Sequence, residues 1–146
     1  MKTEQINAVR EAMQAKKQKG LESGEWFNQV EENKDIEIFG TVTRKFSYDY
    51  EGEPRAAVSI RLLTSCEFTQ IEDTKSGKTK KVTVKAGELI NLSLSGQLKY
   101  CMDDAGVQPG TIVMLEYNGK DMEKKIKGNH PHVWTTAFYE PDAEAN

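Results

Sequence analysis

The chain has 146 residues and a mass of 16.5 kDa, the size of one domain with one ordinary core. Hydrophobic residues make up 37% and charged residues 29%, and no apolar run approaches the roughly 18 residues a membrane helix needs. A net charge of −3 excludes a strongly basic protein and leaves room only for local basic patches.

The charge is segregated. Residues 25–35 carry four acids against one lysine, and the last seven residues carry Glu140, Asp142 and Glu144 with no base. Residues 75–85 contain five lysines and no acid, and residues 120–127 contain four lysines and two acids. The two cysteines, Cys66 and Cys101, sit in no CxxC pair, and His130 and His132 are the only histidines. A four-ligand zinc site of ordinary spacing is therefore not expected, nor is any other cofactor. The N-terminal stretch MKTEQINAVREAMQ lacks an apolar signal core, so a cytoplasmic location with reduced thiols is expected.

In chain order, Ile6, Val9 and Met13 fall at helical spacing, which predicts a helix over 4–19 that stops at Gly20. Its apolar face is thin, so it packs weakly or pairs with another chain. Ser23 is placed to cap a second short helix, whose Trp26, Phe27 and Val30 plug one end of the core. Period two begins at Ile36: Ile36, Ile38, Gly40 and Val42 face in, and Phe39 faces out. This first strand runs on through Phe46, Tyr48 and Tyr50 to a turn at 51–54. A second strand carries Ala56, Val58, Ile60 and Leu62 on one face and Arg55, Ser59 and Arg61 on the other, and Phe68 and Ile71 extend it. DTKSGKT (73–79) is a hairpin tip. A third strand region covers 80–95, with a bend at Gly87. Ser95 then caps a short helix ending at Gly106, with Leu98, Cys101 and Met102 on one face. Residues 111–117 and 132–139 are the fourth and fifth strands.

Strand, strand, strand, short helix, strand, strand is the element order of an OB-fold. A mainly β, five-stranded closed barrel removes exposed edges most simply, with the helix between strands three and four plugging its bottom. The expected organisation is an N-terminal helical extension over 1–35, a barrel over 36–139 and an acidic tail over 140–146. An open sheet or sandwich built from the same strands is the alternative.

The run from Asn91 to Asp142 carries Pro109, Gly110, Val113, Leu115, Tyr117, Gly119 and Lys120, then a basic loop, then Trp134, Phe138 and Tyr139. This pattern resembles phage-type single-stranded DNA-binding proteins over roughly residues 36–140. The resemblance implies a non-enzymatic protein that covers single strands without sequence preference in DNA replication or recombination, in a host cytoplasm if phage-encoded. The acidic tail is similar to the partner-recruiting tails of such proteins, although it ends DAEAN and lacks their apolar tip.

Binding single strands takes cations along the phosphates and flat rings under the bases. The cations expected in the site are Lys75, Lys78, Lys80, Lys81 and Lys85 between strands two and three, and Lys120, Lys124, Lys125 and Lys127 between strands four and five, with Arg55 and Arg61 outward on strand two. The expected stacking rings are Phe39, Tyr48, Tyr50 and Trp134. The competing readings are solvated lysine loops and core packing for Phe46, Phe138 and Trp134. No GxxxxGK[ST], HExxH or GxSxG occurs, and Asp103–Asp104 and the His130/His132 pair are weak metal candidates. The rival class is a protein-interaction module, which the acidic segments favour. Self-association is left open.

Overall fold

The computed structural model of the chain describes residues 3, 5–8, 24–126 and 128–141. Residues 3 and 5–8 are helical; residues 4 and 9–19 of the expected helix, together with Ser23 and the tail from 142, lie outside the described residues. No helix among the described residues is long and apolar enough to cross a membrane.

The fold is mainly β. In chain order the elements are β1 (Glu25–Trp26), a 3-10 turn (Glu31–Asn33), β2 (Glu37–Tyr50), β3 (Glu53–Leu62), β4 (Cys66–Asp73), β5 (Lys78–Val84), β6 (Leu89–Leu94), α1 (Gly96–Asp104), β7 (Ile112–Lys120) and β8 (His132–Tyr139). The alternating run from Ile36 does form a strand, and β2 turns into β3 over Glu51 and Gly52. Both turn residues have positive φ, 51° and 82°, the mirror-image turn that matches the twist of a hairpin. The bend at Gly87 (φ 91°) and the hairpin tip before Lys78 also form where the glycines put them.

The strands do not close into a five-stranded barrel. They form an open six-stranded sheet, β1-β6-β3-β2-β7-β8, and a separate β4–β5 pair. The expected long second and third strands are each broken. Leu62 N–H donates to Glu88 O and Gly87 N–H to Leu62 O, which turns the chain out of the sheet on both sides of the β4–β5 hairpin. The expected helix between strands three and four is α1, and its Leu98 and Met102 are buried against the core.

The expected helical plug at 23–30 is instead a strand and an irregular strap. Alternation decides this: Trp26 and Phe27 serve opposite sides of the sheet, as a strand allows and one helix face does not. Gly24 permits the pairing, because a Cβ there would lie 2.7 Å from Leu89 O. β1 pairs in parallel with β6, and Phe27 packs its ring among Phe68, Tyr117 and Trp134 at 5.3–6.1 Å. Residues 24–35 thus belong to the domain that was expected to start at 36.

The strap also fills the gap between the outer strands. Gln29 Nε2 donates to Ser93 O on β6, and Gln29 Oε1 accepts from Trp134 Nε1 on β8. Gln97 of α1 accepts the Trp134 N–H at 2.9 Å. On its other side the strap edges β4 with side-chain amides. Asn33 Nδ2 donates to Thr69 O (2.8 Å) and its Oδ1 accepts Thr69 N–H (2.7 Å), while Asn28 Oδ1 accepts Ile71 N–H. Asn33 is fully buried and donates also to Asn28 O.

Asn33→Ala strands the Thr69 amide and carbonyl in a dry site, so unfolding by urea should show a loss of about 2–4 kcal/mol. The exposed neighbour change Glu32→Ala should stay within about 0.5 kcal/mol. Equal effects of the two would show that the Asn33 bonds carry no weight.

Candidate nucleic-acid interface

The sheet has an inner face on the core and an outer face, and a β-bulge decides which residues reach the outer one. Val42 pairs with Ile60 but Arg44 pairs with Ser59, so Thr43 is the extra residue. Before the bulge the even positions Ile38 and Val42 point in and Phe39 points out. After it the parity reverses, and Arg44, Phe46, Tyr48 and Tyr50 share the outer face with Phe39. Without the bulge these rings would alternate away from it.

The outer face is floored by small residues. Ala57 and Ser59 of β3 are almost fully buried although they point outward, because large side chains lie over them. Trp26 lies 4.9 Å from the ring of Tyr48 and 6.0 Å from that of Phe46. Tyr48 reaches across to Ser93 Oγ at 2.8 Å, and Ser59 donates to Asn91 Oδ1 at 2.6 Å. Arg44 sits over Phe46 at 4.4 Å and Arg55 over Tyr50 at 4.9 Å. The result is a row of four rings and two guanidinium groups. Trp26, Phe46 and Tyr48 are half-buried, and Tyr50 is exposed. Tyr48, Tyr50 and Arg55 were expected here. Trp26, Phe46 and Arg44 were not; the signal available was the period-two run of Arg44, Phe46, Tyr48 and Tyr50, whose face only the bulge determines.

The expected lysines divide. Lys75, Lys78, Lys80, Lys81 and Lys85 are exposed on or beside the β4–β5 hairpin, and Lys78 pairs with Glu72 at 3.6 Å. This hairpin meets the ring row. Lys80 stands opposite Gln70, whose Nε2 donates to Trp26 O at 2.9 Å. Lys120, Lys124 and Lys125 are exposed at the β7–β8 loop, and Lys127 lies outside the described residues. Both loops are at the end of the sheet where β2 starts. Between them sit the 3-10 turn, touching both β4 and β7, and the two residues after it, with exposed Glu31, Glu32 and Asp35 against one exposed Lys34. A cationic groove running from one lysine loop to the other is therefore interrupted by acids. Arg61 is outward as expected and donates to Gly87 O at 2.6 Å. Phe39 is outward too, but beyond Arg61 and among apolar neighbours, away from the ring row.

Trp134 is a correction. It is 3% exposed and packs on Tyr117 at 5.0 Å, so it is a core ring and offers no surface to a base. The inner parity of β8 puts it there: it pairs with Tyr117, inward on β7. Phe138 likewise packs against the core. The tail begins later than expected as well. The buried Thr111 hydroxyl donates to Glu140, which anchors that residue to the fold.

Several other titratable groups are engaged locally. The Tyr117 hydroxyl lies 2.7 Å from His132 Nδ1, and His130 Nδ1 donates to the Lys124 carbonyl. Burial, with Glu31 nearby, pushes Tyr117 up to about 12. Burial, then Lys120, holds His132 below its ordinary value. Asp103 is paired with Lys99 at 2.7 Å, and burial pushes the Cys66 thiol up to about 11, which makes it a poor nucleophile. Among the described residues no three His, Cys, Asp or Glu groups are placed to hold a metal ion. No family model, curated protein or solved structure matches the chain.

His132 gives a pH prediction. Its folded form resists protonation, whereas the unfolded chain takes up the proton near the ordinary value of about 6.5. The unfolded state then binds more protons, so stability is unaffected well above that value and falls as pH drops through it. The melting temperature should decline between about pH 7.5 and about pH 5.5, and His132→Gln should flatten that decline. An unchanged slope in the variant would place the titrating group elsewhere.

Proposed function

We propose that the chain is a non-enzymatic single-stranded DNA-binding protein of the replication and recombination type, with its site on the outer face of β2, β3 and β1. The observation that carries this reading is the ring row itself: Trp26, Phe46, Tyr48 and Tyr50 at one surface, interleaved with Arg44 and Arg55 and joined at Trp26 to the lysine hairpin. Rings give stacking at about 1–3 kcal/mol per base without reading its identity, and the cations follow the phosphates. Phosphate contact makes such binding fall steeply with salt. The β7–β8 lysines stand across the acidic turn and serve as a separate, weaker contribution. That acidic turn is also what favours the second reading, a module that binds a protein, because it would repel a strand crossing it.

Fluorescence separates the two tryptophans. Oligo-dT should quench Trp26 and leave Trp134 untouched, so Trp134→Phe keeps the quenching and Trp26→Phe abolishes it. Trp26→Ala should weaken binding by about 1–3 kcal/mol. Replacing Lys78, Lys80 and Lys81 by glutamine should flatten the salt slope, whereas the same change at Lys124 and Lys125 should alter it less. Absence of any oligo-dT binding at low salt would overturn the reading in favour of a protein partner.

A further inference from the structure

The outer face has a second half with different chemistry. Phe39 stands opposite Met114, which stands opposite Ala137, and Leu63 N–H donates to Phe39 O, so these four form one row across the sheet. The next row holds Thr41, Ile112 and Tyr139. Leu63, Met114 and Tyr139 are 48%, 42% and 44% exposed. Six apolar side chains from neighbouring strands thus share one surface with no charge among them. Contiguous apolar area of this kind marks an interface rather than a solvated face.

The margins of this surface carry opposite charges. Arg61 pairs with Thr41 at one end, and Glu37 pairs with Glu116 at the other. We propose that this face is the interface of a two-fold dimer of the chain. A two-fold axis along the Phe39–Met114–Ala137 row reverses the strands of the second copy. It lays the Leu63–Phe39–Met114–Ala137 row on itself, sets Thr41, Ile112 and Tyr139 over the row of Glu37, Glu116 and Thr135 of the partner subunit, and brings Arg61 beside Glu37 of the partner subunit, twice. A surface with an acid at one end and a base at the other is complementary to itself, as an isologous contact requires. Nucleic acid is the poorer occupant, because the surface has one cation at its edge and two carboxylates facing any phosphate path.

The test is the mass of the full chain in solution by sedimentation equilibrium, over about 1–200 µM, with circular dichroism confirming the fold of each variant. The wild type should show a reversible monomer–dimer equilibrium. Met114→Glu and Arg61→Glu should each weaken it by about tenfold or more, and Arg61→Glu combined with Glu37→Arg should restore it. A wild type that stays monomeric throughout overturns the proposal. So does a dimer that Met114→Glu leaves intact, or an Arg61→Glu loss that the double variant does not recover. Loss of oligo-dT binding in Met114→Glu without any change in mass would assign the face to nucleic acid and overturn it as well.

Discussion

The structure depends on one polar exchange: the side-chain amide of Asn33 with the backbone of Thr69. A buried strand edge has donors and acceptors that must be paired, and β4 has a partner strand on only one side. The strap supplies the other side with amide side chains, which carry the same donor and acceptor as a peptide group. Asn33 and Asn28 extend the ladder of β4 without being strands. Because the strap is fixed there, Phe27 is fixed in the core, Gln29 in the gap between β6 and β8, and Trp26 on the outer face. Removing that exchange leaves the buried backbone of Thr69 unpaired, with the strap joined to the hairpin through the Asn28–Ile71 and Gln70–Trp26 bonds.

This arrangement explains why the barrel does not close. Closure would need a ladder between the third and fifth expected strands. The strap occupies that place with Gln29, and Trp134 spends its backbone N–H on Gln97 and its indole N–H on Gln29. An edge covered by side chains is as well protected from pairing with another chain as a closed one, so nothing further drives the strands together. The parts of the fold that periodicity and turn residues encode were legible: the alternation from Ile36, the turn at Glu51–Gly52, the hairpin tip, the bend at Gly87 and the helix after Ser95. The strap was not. Asn28, Gln29 and Asn33 read as surface polarity in an acidic stretch, because nothing local distinguishes an amide that mimics a peptide from one that faces water.

The candidate site shows the same division. That Tyr48 and Tyr50 share a face follows from period two, and Arg55 joins them by pairing with Tyr48, but which face they share follows from one inserted residue, Thr43. Bulges have no strong sequence signal, and a one-residue shift moves every later side chain to the other side. Trp134 fails for the complementary reason. Its neighbours Thr135 and Thr136 give no alternation, so its side could be fixed only by its pairing with Tyr117. Summed charge was also a poor guide. The lysines are where the sequence put them, on two loops, but the fold inserts Glu31, Glu32 and Asp35 between those loops, a juxtaposition invisible along the chain.

The outer face therefore divides at Arg61 into two surfaces made from the same strands. On one side the floor is Ala57, Ser59 and Asn91, small or polar groups that let rings lie across them and that hydrogen-bond beneath. On the other side the row is Leu63, Phe39, Met114 and Ala137, apolar side chains standing on neighbouring strands with no cation between them. A flat ring held over a small floor and flanked by guanidinium groups gains by stacking with another flat, anionic molecule. Branched and linear aliphatic groups offer no such plane and gain most by excluding water against a surface of the same kind. The difference lies in three outward positions of β3 and β6, Ala57, Ser59 and Asn91, which stay buried beneath the rings that lie across them, so that half of a uniform β-surface carries a row of rings lying along it.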